Sequence, residues 1–169
     1  IGNNLFTTVK EVVDWLGAVQ AQEYGGAKWA LALRCKELTD SQVDQAFNRG
    51  DILRTHVMRP TWHFVMPQDI RWLLQLTGPH VQKLNAYYCK KLELDEILLN
   101  QSSDLIAEAL QGGKHLTRET LVEKLYQADI NKTAQNNTIR IAFLMMYAEL
   151  NGVICSGPRI GKQFTYALL

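Results

Sequence analysis

The fold prediction begins at one stretch of the chain, Ile52-Leu53-Arg54-Thr55-His56-Val57-Met58-Arg59-Pro60-Thr61-Trp62-His63-Phe64-Val65. Here the spacing of apolar residues changes from a helical period to the alternation of a β strand, and β-branched and aromatic residues become frequent. Residues 52–58 and 61–65 are therefore predicted strands, and Arg59-Pro60 between them predicts the turn of a hairpin.

Three helices are predicted before this hairpin. They cover residues 9–21, 27–34 and about 40–50, and Gly25-Gly26 is expected to redirect the backbone between the first two. The expected caps are Thr7 or Thr8 for the first helix and Thr39 or Asp40 for the third. Helices followed by a hairpin form the outline of a winged helix, in which a β wing follows a helix-turn-helix.

A helical spacer is predicted after the hairpin. The apolar face of residues 70–76 is expected to end at Gly78-Pro79, and residues 80–99 are again helical. The spacer is assigned to residues 68–100, which leaves residues 1–67 as the first winged-helix module.

The order of three helices and a hairpin recurs over residues 101–169. Ser102 or Ser103 is the expected cap of the first of these helices, and Thr117 begins the second. Residues 138–151 form the third helix, and residues 153–168 are strand, turn and strand. The predicted fold is mainly α with small β hairpins, arranged as two winged-helix modules.

Composition restricts the class of protein. The chain has 169 residues and a formal net charge of +1, so any surface for nucleic acid depends on clustering of its basic residues. The three cysteines lack the spacing of a metal site or a disulfide framework. No apolar run has the length of a membrane helix, which predicts a cytoplasmic protein without membrane contact. A start at Ile1 is typical of a piece trimmed from a longer protein.

Three stretches carry a resemblance to a known family. They are Gly17-Ala18-Val19-Gln20-Ala21-Gln22, Arg59-Pro60-Thr61-Trp62-His63-Phe64-Val65, and Gly157-Pro158-Arg159-Ile160-Gly161-Lys162. In this order they resemble the AlkZ-like and YcaQ-like winged-helix DNA glycosylases of bacteria, whose tandem winged helices wrap around DNA. The resemblance implies an enzyme that hydrolyses the N-glycosidic bond of alkylated or crosslinked purines. It also implies a third, C-terminal module that is absent here, so activity of this piece alone is an open question.

The resemblance implies that Gln20 and Gln22 are catalytic residues. A purine alkylated at N7 or N3 is cationic and leaves readily, so the reaction needs a positioned water and a complementary polar surface more than a strong base. An amide side chain offers both an acceptor and donors for that purpose, although it cannot act as a general base. The enzyme is expected to need no cofactor.

The same resemblance implies that the hairpin carries three residues typical of the family, Arg59, Thr61 and His63. They are expected near the DNA backbone or holding the hairpin against the glutamines. If Arg59-Pro60 is a two-residue turn, His56 and His63 face each other across the strands. Two ligands without a third do not make a metal site, so no metal is predicted, and a structural and a DNA-facing histidine stay open as alternatives.

Arg159 and Lys162 lie in a glycine-flanked turn that suits phosphate contact. Residues 138–151, where a recognition helix would lie, are apolar with Arg140 as the basic residue, which predicts a core helix. The expected partner is therefore double-stranded DNA, bound largely without regard to sequence by a monomer. The alternative is a non-catalytic winged-helix protein, a transcription regulator or scaffold, which as a repressor would dimerise and select a palindrome.

Overall fold

The computed structural model describes residues 6–130 and 138–169. The helices in these ranges are α1 Val9–Leu16, α2 Tyr24–Ala32, α3 Asp40–Asn48, α4 Ile70–Lys91, α5 Glu96–Ala109, α6 Arg118–Gln127 and α7 Thr138–Leu150. The strands are β1 Ala18–Gln20, β2 Leu53–His56, β3 Trp62–Val65, β4 Leu116–Thr117, β5 Ile154–Ile160 and β6 Gln163–Leu168. Within the described part of the chain, no helix combines the length and the apolar character that crossing a membrane requires.

Threonine caps begin three of the helices, as the sequence predicts. The Thr8 hydroxyl accepts from the backbone N–H of Glu11, whose carboxylate in turn accepts from the Thr8 backbone N–H. Thr39 begins α3 with the same reciprocal pair, completed by Gln42, and Thr117 caps α6. Each cap satisfies backbone donors that the first turn of a helix otherwise leaves without partners.

The predicted helix over residues 9–21 is wrong at its C-terminal end. Helix α1 stops at Leu16, Gly17 adopts a φ of 70°, and β1 follows at once. Gly25-Gly26 does not redirect the chain either, because both glycines lie in the first turn of α2. The Glu23 carboxylate caps that turn by accepting from the Gly26 N–H at 2.6 Å. The glutamines therefore lie on a strand and the loop after it, between two helices.

The spacer also differs from the prediction. Helix α4 continues through Gly78-Pro79, although an internal proline costs a helix about 3 kcal/mol. Helix α4 packs closely on α7 at this point, since a Cβ on Gly78 would lie only 2.9 Å from the Leu150 carbonyl oxygen. Likewise α5 begins after Asp95, which caps it, and Ser102 and Ser103 are buried inside the helix instead of capping it.

The two predicted hairpins share one sheet. The strand order is β1-β3-β2-β5-β6-β4, every pair is antiparallel, and the pairing of Arg54 with Ser156 joins the first hairpin to the second. The description of the fold as mainly α with separate small hairpins is therefore corrected to a mixed fold of helices around a six-stranded antiparallel sheet. The module boundaries at residues 67 and 100 stay a prediction.

Three packed clusters surround the sheet. The first joins α1, α2 and α3 to the first hairpin through residues such as Leu31, Phe47 and Phe64. The second joins α5, α6 and α7 to the second hairpin. A smaller cluster packs the start of α4 against the middle of the sheet. The sheet thus connects two helical groups, and strand β1 lies at its edge.

Candidate functional site

The glutamine strand, defined as residues 18–22, is held against the first hairpin. Gln20 pairs with His63 across β1 and β3, and the Ala21 N–H donates to the Trp62 carbonyl oxygen at 2.7 Å. Gln20 and Gln22 are exposed on either side of the buried Ala21. The structure therefore brings the two glutamines together with the predicted hairpin residues Arg59, Thr61 and His63.

The orientation of both amides follows from their partners. The Arg59 guanidinium donates to Gln20 Oε1 at 3.1 Å, and the Trp62 backbone N–H donates to Gln22 Oε1 at 3.3 Å. A guanidinium and a backbone N–H can only donate hydrogen bonds, so the amide oxygen of each glutamine must face the hairpin. Each amide keeps two N–H donors and one oxygen lone pair for a bound molecule.

His63 and Thr61 are turned inward. His63 is buried, and its Nδ1 donates to the Thr61 carbonyl oxygen at 2.9 Å, because a carbonyl can only accept. Burial lowers the pKa of His63, and the nearby Arg59 lowers it further. The Thr61 hydroxyl oxygen is also buried. These positions favour the role of holding the hairpin, and DNA contact by either residue stays a prediction.

The expected pairing of His56 with His63 is wrong. Residues 57–61 connect the strands, so His56 lies opposite Trp62 and His63 lies opposite Thr55. A two-residue turn at Arg59-Pro60 would have shifted this register. In the described ranges, His, Cys, Asp and Glu form no group of three that could hold a metal ion.

A buried polar network lies beneath the hairpin. Glu149 of α7 is fully buried; its Oε2 is hydrogen-bonded to His56 Nδ1, and its Oε1 accepts from Trp62 Nε1 at 3.1 Å. Arg54, only 4% exposed, stacks between the rings of Trp62 and Phe164 at 4.4 and 4.3 Å. Burial lowers the pKa of Arg54 to about 10.

Arg54 and Glu149 are not among the site residues that the sequence predicts. The sequence could have indicated Glu149, because it is the acidic residue of a mostly apolar helix that was predicted to lie in the core. A carboxylate in that position needs buried donors. The same helix confirms the prediction for residues 138–151. Arg140 is buried and donates to the Leu92 and Glu93 carbonyl oxygens.

The second hairpin places Arg159 and Lys162 differently. The Arg159 side chain, 17% exposed, lies 4.7 Å over the Tyr24 ring and 3.6 Å from the Asp44 carboxylate. Partial burial would raise the pKa of Asp44, but the bonds from Tyr24 and Lys28 outweigh it and hold that pKa below its usual value. Lys162 is exposed at the tip. Phosphate contact by either residue stays a prediction.

A groove of about 370 Å³ is lined by residues of both hairpins. Trp62, whose backbone holds Gln22, lines it from the first hairpin, and Lys162 and Phe164 line it from the second. Arg118 and Glu119 from the start of α6 give it both signs of charge. A more apolar cavity of about 530 Å³ lies between α4, α5 and α7 and shares none of these residues.

Comparisons with known proteins agree on one family. The model of the family described as DNA glycosylase AlkZ-like matches residues 13–169. The chain is 26% identical over 163 residues to an interstrand DNA cross-link repair glycosylase of Streptomyces sahachiroi, and the match covers 95% of this chain and 43% of that protein. The solved structure of the Streptomyces sahachiroi DNA glycosylase AlkZ superposes with a TM-score of 0.80 at 23% identity, over 96% of this chain and 44% of that one. The chain therefore spans less than half the length of these relatives.

Proposed function

Because the chain belongs to the AlkZ-like DNA glycosylase family, we propose that it is the N-terminal part of a DNA repair enzyme that excises alkylated or crosslinked purines from double-stranded DNA. One observation carries the proposal. Two exposed glutamine amides lie two residues apart, at the end of the edge strand β1 and in the loop after it, and each is held through its oxygen by the neighbouring hairpin. Such an arrangement presents preorganised donors to a bound molecule, as stabilisation of developing charge requires.

The reaction does not need a side chain that gains or loses a proton, so it fits the two glutamines. When the glycosidic bond of an N7-alkylated purine breaks, its electron pair neutralises the cationic base, and positive charge moves to the sugar. Water then adds to the anomeric carbon and releases its proton to solvent. In our proposal the free lone pair of a glutamine oxygen accepts a hydrogen bond from that water, and the N–H donors face the acceptor atoms of the departing base. Neither step requires a group that titrates near neutral pH.

Contact with DNA is proposed to run mainly through the backbone phosphates. Lys162 and Arg59 offer exposed cations at the two hairpin tips, while α7 is mostly buried and its basic residue Arg140 lies in the core, which does not favour base reading. Binding should therefore be largely independent of sequence, and the protein is expected to act as a monomer.

Excision by the full-length gene product tests the proposal. Gln22→Ala, and to a similar or lesser degree Gln20→Ala, should slow single-turnover release of N7-alkylated bases by roughly 10²-fold, the scale of a lost polar group at developing charge. Duplex affinity and melting temperature should hardly change, because both side chains are exposed and neither neutralises a phosphate. Gln101→Ala, an exposed glutamine of α5, is the matched control and should excise at the wild-type rate.

Three results would count against the proposal. Full activity in both variants would make the glutamines ordinary surface. Unfolding of both would make them structural. Absence of excision by the wild-type protein on several alkylated duplexes would favour the non-catalytic winged-helix alternative.

A further inference from the structure

Arg54 lies directly beneath the glutamine strand. Its Nε donates to the Ala21 carbonyl oxygen at 3.1 Å, and Ala21 is the fully buried residue between the two glutamines. A second donor, Nη1, reaches the Ser156 hydroxyl of β5 at 3.2 Å. One guanidinium therefore connects the glutamine strand to both hairpins.

Ala21 is held on both of its backbone polar groups. Its N–H donates to the Trp62 carbonyl oxygen, and its own carbonyl accepts from Arg54. Trp62 in turn donates its backbone N–H to Gln22 and stacks on the Arg54 guanidinium. The peptide before Gln22 is thus fixed by Arg54, and the amide of Gln22 is held by the backbone of the residue whose ring packs on Arg54.

Arg54 makes directed contacts that an apolar side chain of the same size would not make. Its charge is buried between two aromatic rings, and the two oxygen atoms that it reaches are neutral. The charge of Glu149 offsets the desolvation of Arg54 only in part, since the pKa of Arg54 stays below its usual value. What an apolar side chain cannot supply is the directed N–H that sets the Ala21 peptide plane.

We propose that Arg54 is a positioning residue for catalysis, which sets the separation and direction of the Gln20 and Gln22 amides by fixing the peptide between them. This rests on the proposed function of the glutamines. Misplacement of a catalytic group by about 1 Å costs a rate of the order of 10²-fold, so the loss of one backbone contact here has a measurable consequence.

The test compares Arg54→Met, Arg54→Lys and Arg140→Met in the full-length protein. Methionine keeps most of the packed volume without a donor, and lysine keeps the charge and can donate at one point. Arg140 is the matched control, because it is another buried arginine that donates to backbone carbonyl oxygens. Single-turnover excision at saturating enzyme is measured beside duplex affinity and amide hydrogen exchange of residues 19–22.

Arg54→Met should slow excision by about 10²-fold and leave duplex affinity within about twofold. Arg54→Lys should excise about tenfold faster than Arg54→Met. Folded Arg140→Met should excise at the wild-type rate. Exchange of the Ala21 and Gln22 amides should rise by about tenfold in Arg54→Met but not in the control.

Unchanged excision and unchanged local exchange in Arg54→Met would overturn the proposal, as would an equal loss of rate in both methionine variants. Exchange also separates this inference from the proposed function. If the wild-type protein excises nothing but Arg54→Met still loosens residues 19–22, the enzyme proposal fails while the structural link stands.

Discussion

The two hairpins occupy corresponding places in the order of elements but place their charged side chains in opposite ways. In the first hairpin, Arg54, His56 and His63 are all buried, and Arg59 at the tip bonds to Gln20. In the second, Lys162 is exposed at the tip, and Arg159 behind it is folded against Tyr24. The first hairpin is therefore built to hold its neighbours, and the tip of the second is left for a partner.

Each hairpin has a neighbouring strand on both sides, so the difference lies in the groups that pack against them. The first hairpin lies between β1 and β5, and α7 packs behind it with a buried carboxylate. Polar side chains on its strands must therefore find partners inside the protein. In the two-residue turn of the second hairpin Lys162 is exposed instead, so water or DNA can reach it. Four variants sharpen or break this comparison.

Glu149→Ala should have the largest effect on stability. It leaves His56 and the Trp62 indole N–H buried without their shared partner, and breaking a buried pair costs about 3–5 kcal/mol. Urea unfolding measures the loss, with the exposed Glu108→Ala as control, expected within about 0.5 kcal/mol of wild type. A loss below about 1 kcal/mol would show that the first hairpin does not depend on this network.

Arg159→Ala should have the second largest effect on stability. The variant loses the stacking on Tyr24 and the contact with Asp44, which together are worth about 1–2 kcal/mol. Its unfolding free energy should fall, whereas the salt dependence of DNA binding should stay close to that of wild type. Unchanged stability with a shallower salt dependence would instead support the phosphate contact that the sequence suggests.

His63 should contribute a smaller, pH-dependent effect. Burial holds the pKa of His63 below its ordinary value, so the unfolded chain binds this proton more readily than the folded protein does. Stability from neutral His63 is fully present above the unfolded pKa and is lost as the pH falls from there toward the folded pKa. His63→Asn should therefore flatten the decline in unfolding free energy between pH 7.5 and 5. An identical decline in both proteins would place the titrating group elsewhere.

Lys162→Ala should affect stability least, by less than about 0.5 kcal/mol, because its side chain is exposed. Affinity for unrelated duplexes should fall about equally, and the slope of log affinity against log salt should become shallower by about 0.9, the value of one phosphate contact. Lys83→Ala, an exposed lysine of α4, serves as control. A loss confined to one duplex sequence would favour the regulator alternative.

Local features of this protein follow from its sequence alone. The threonine caps of α1, α3 and α6, the two hairpins and the apolar character of α7 are all correctly predicted. In each case the interaction joins residues close in the chain, or the pattern reports burial directly. The glutamines were found through resemblance, since two exposed amides carry no signal of their own.

Tertiary structure decided the rest. Joining of the hairpins depends on the pairing of Arg54 with Ser156, and the edge strand β1 depends on a partner more than 40 positions away. Helix α4 continues through Pro79, and α7 packs closely on Gly78 beside it. The positions of Arg54 beneath Ala21 and Glu149 beneath Trp62 arise in the same way. Contacts between residues so far apart depend on the whole packing arrangement, and no local pattern of side chains specifies them.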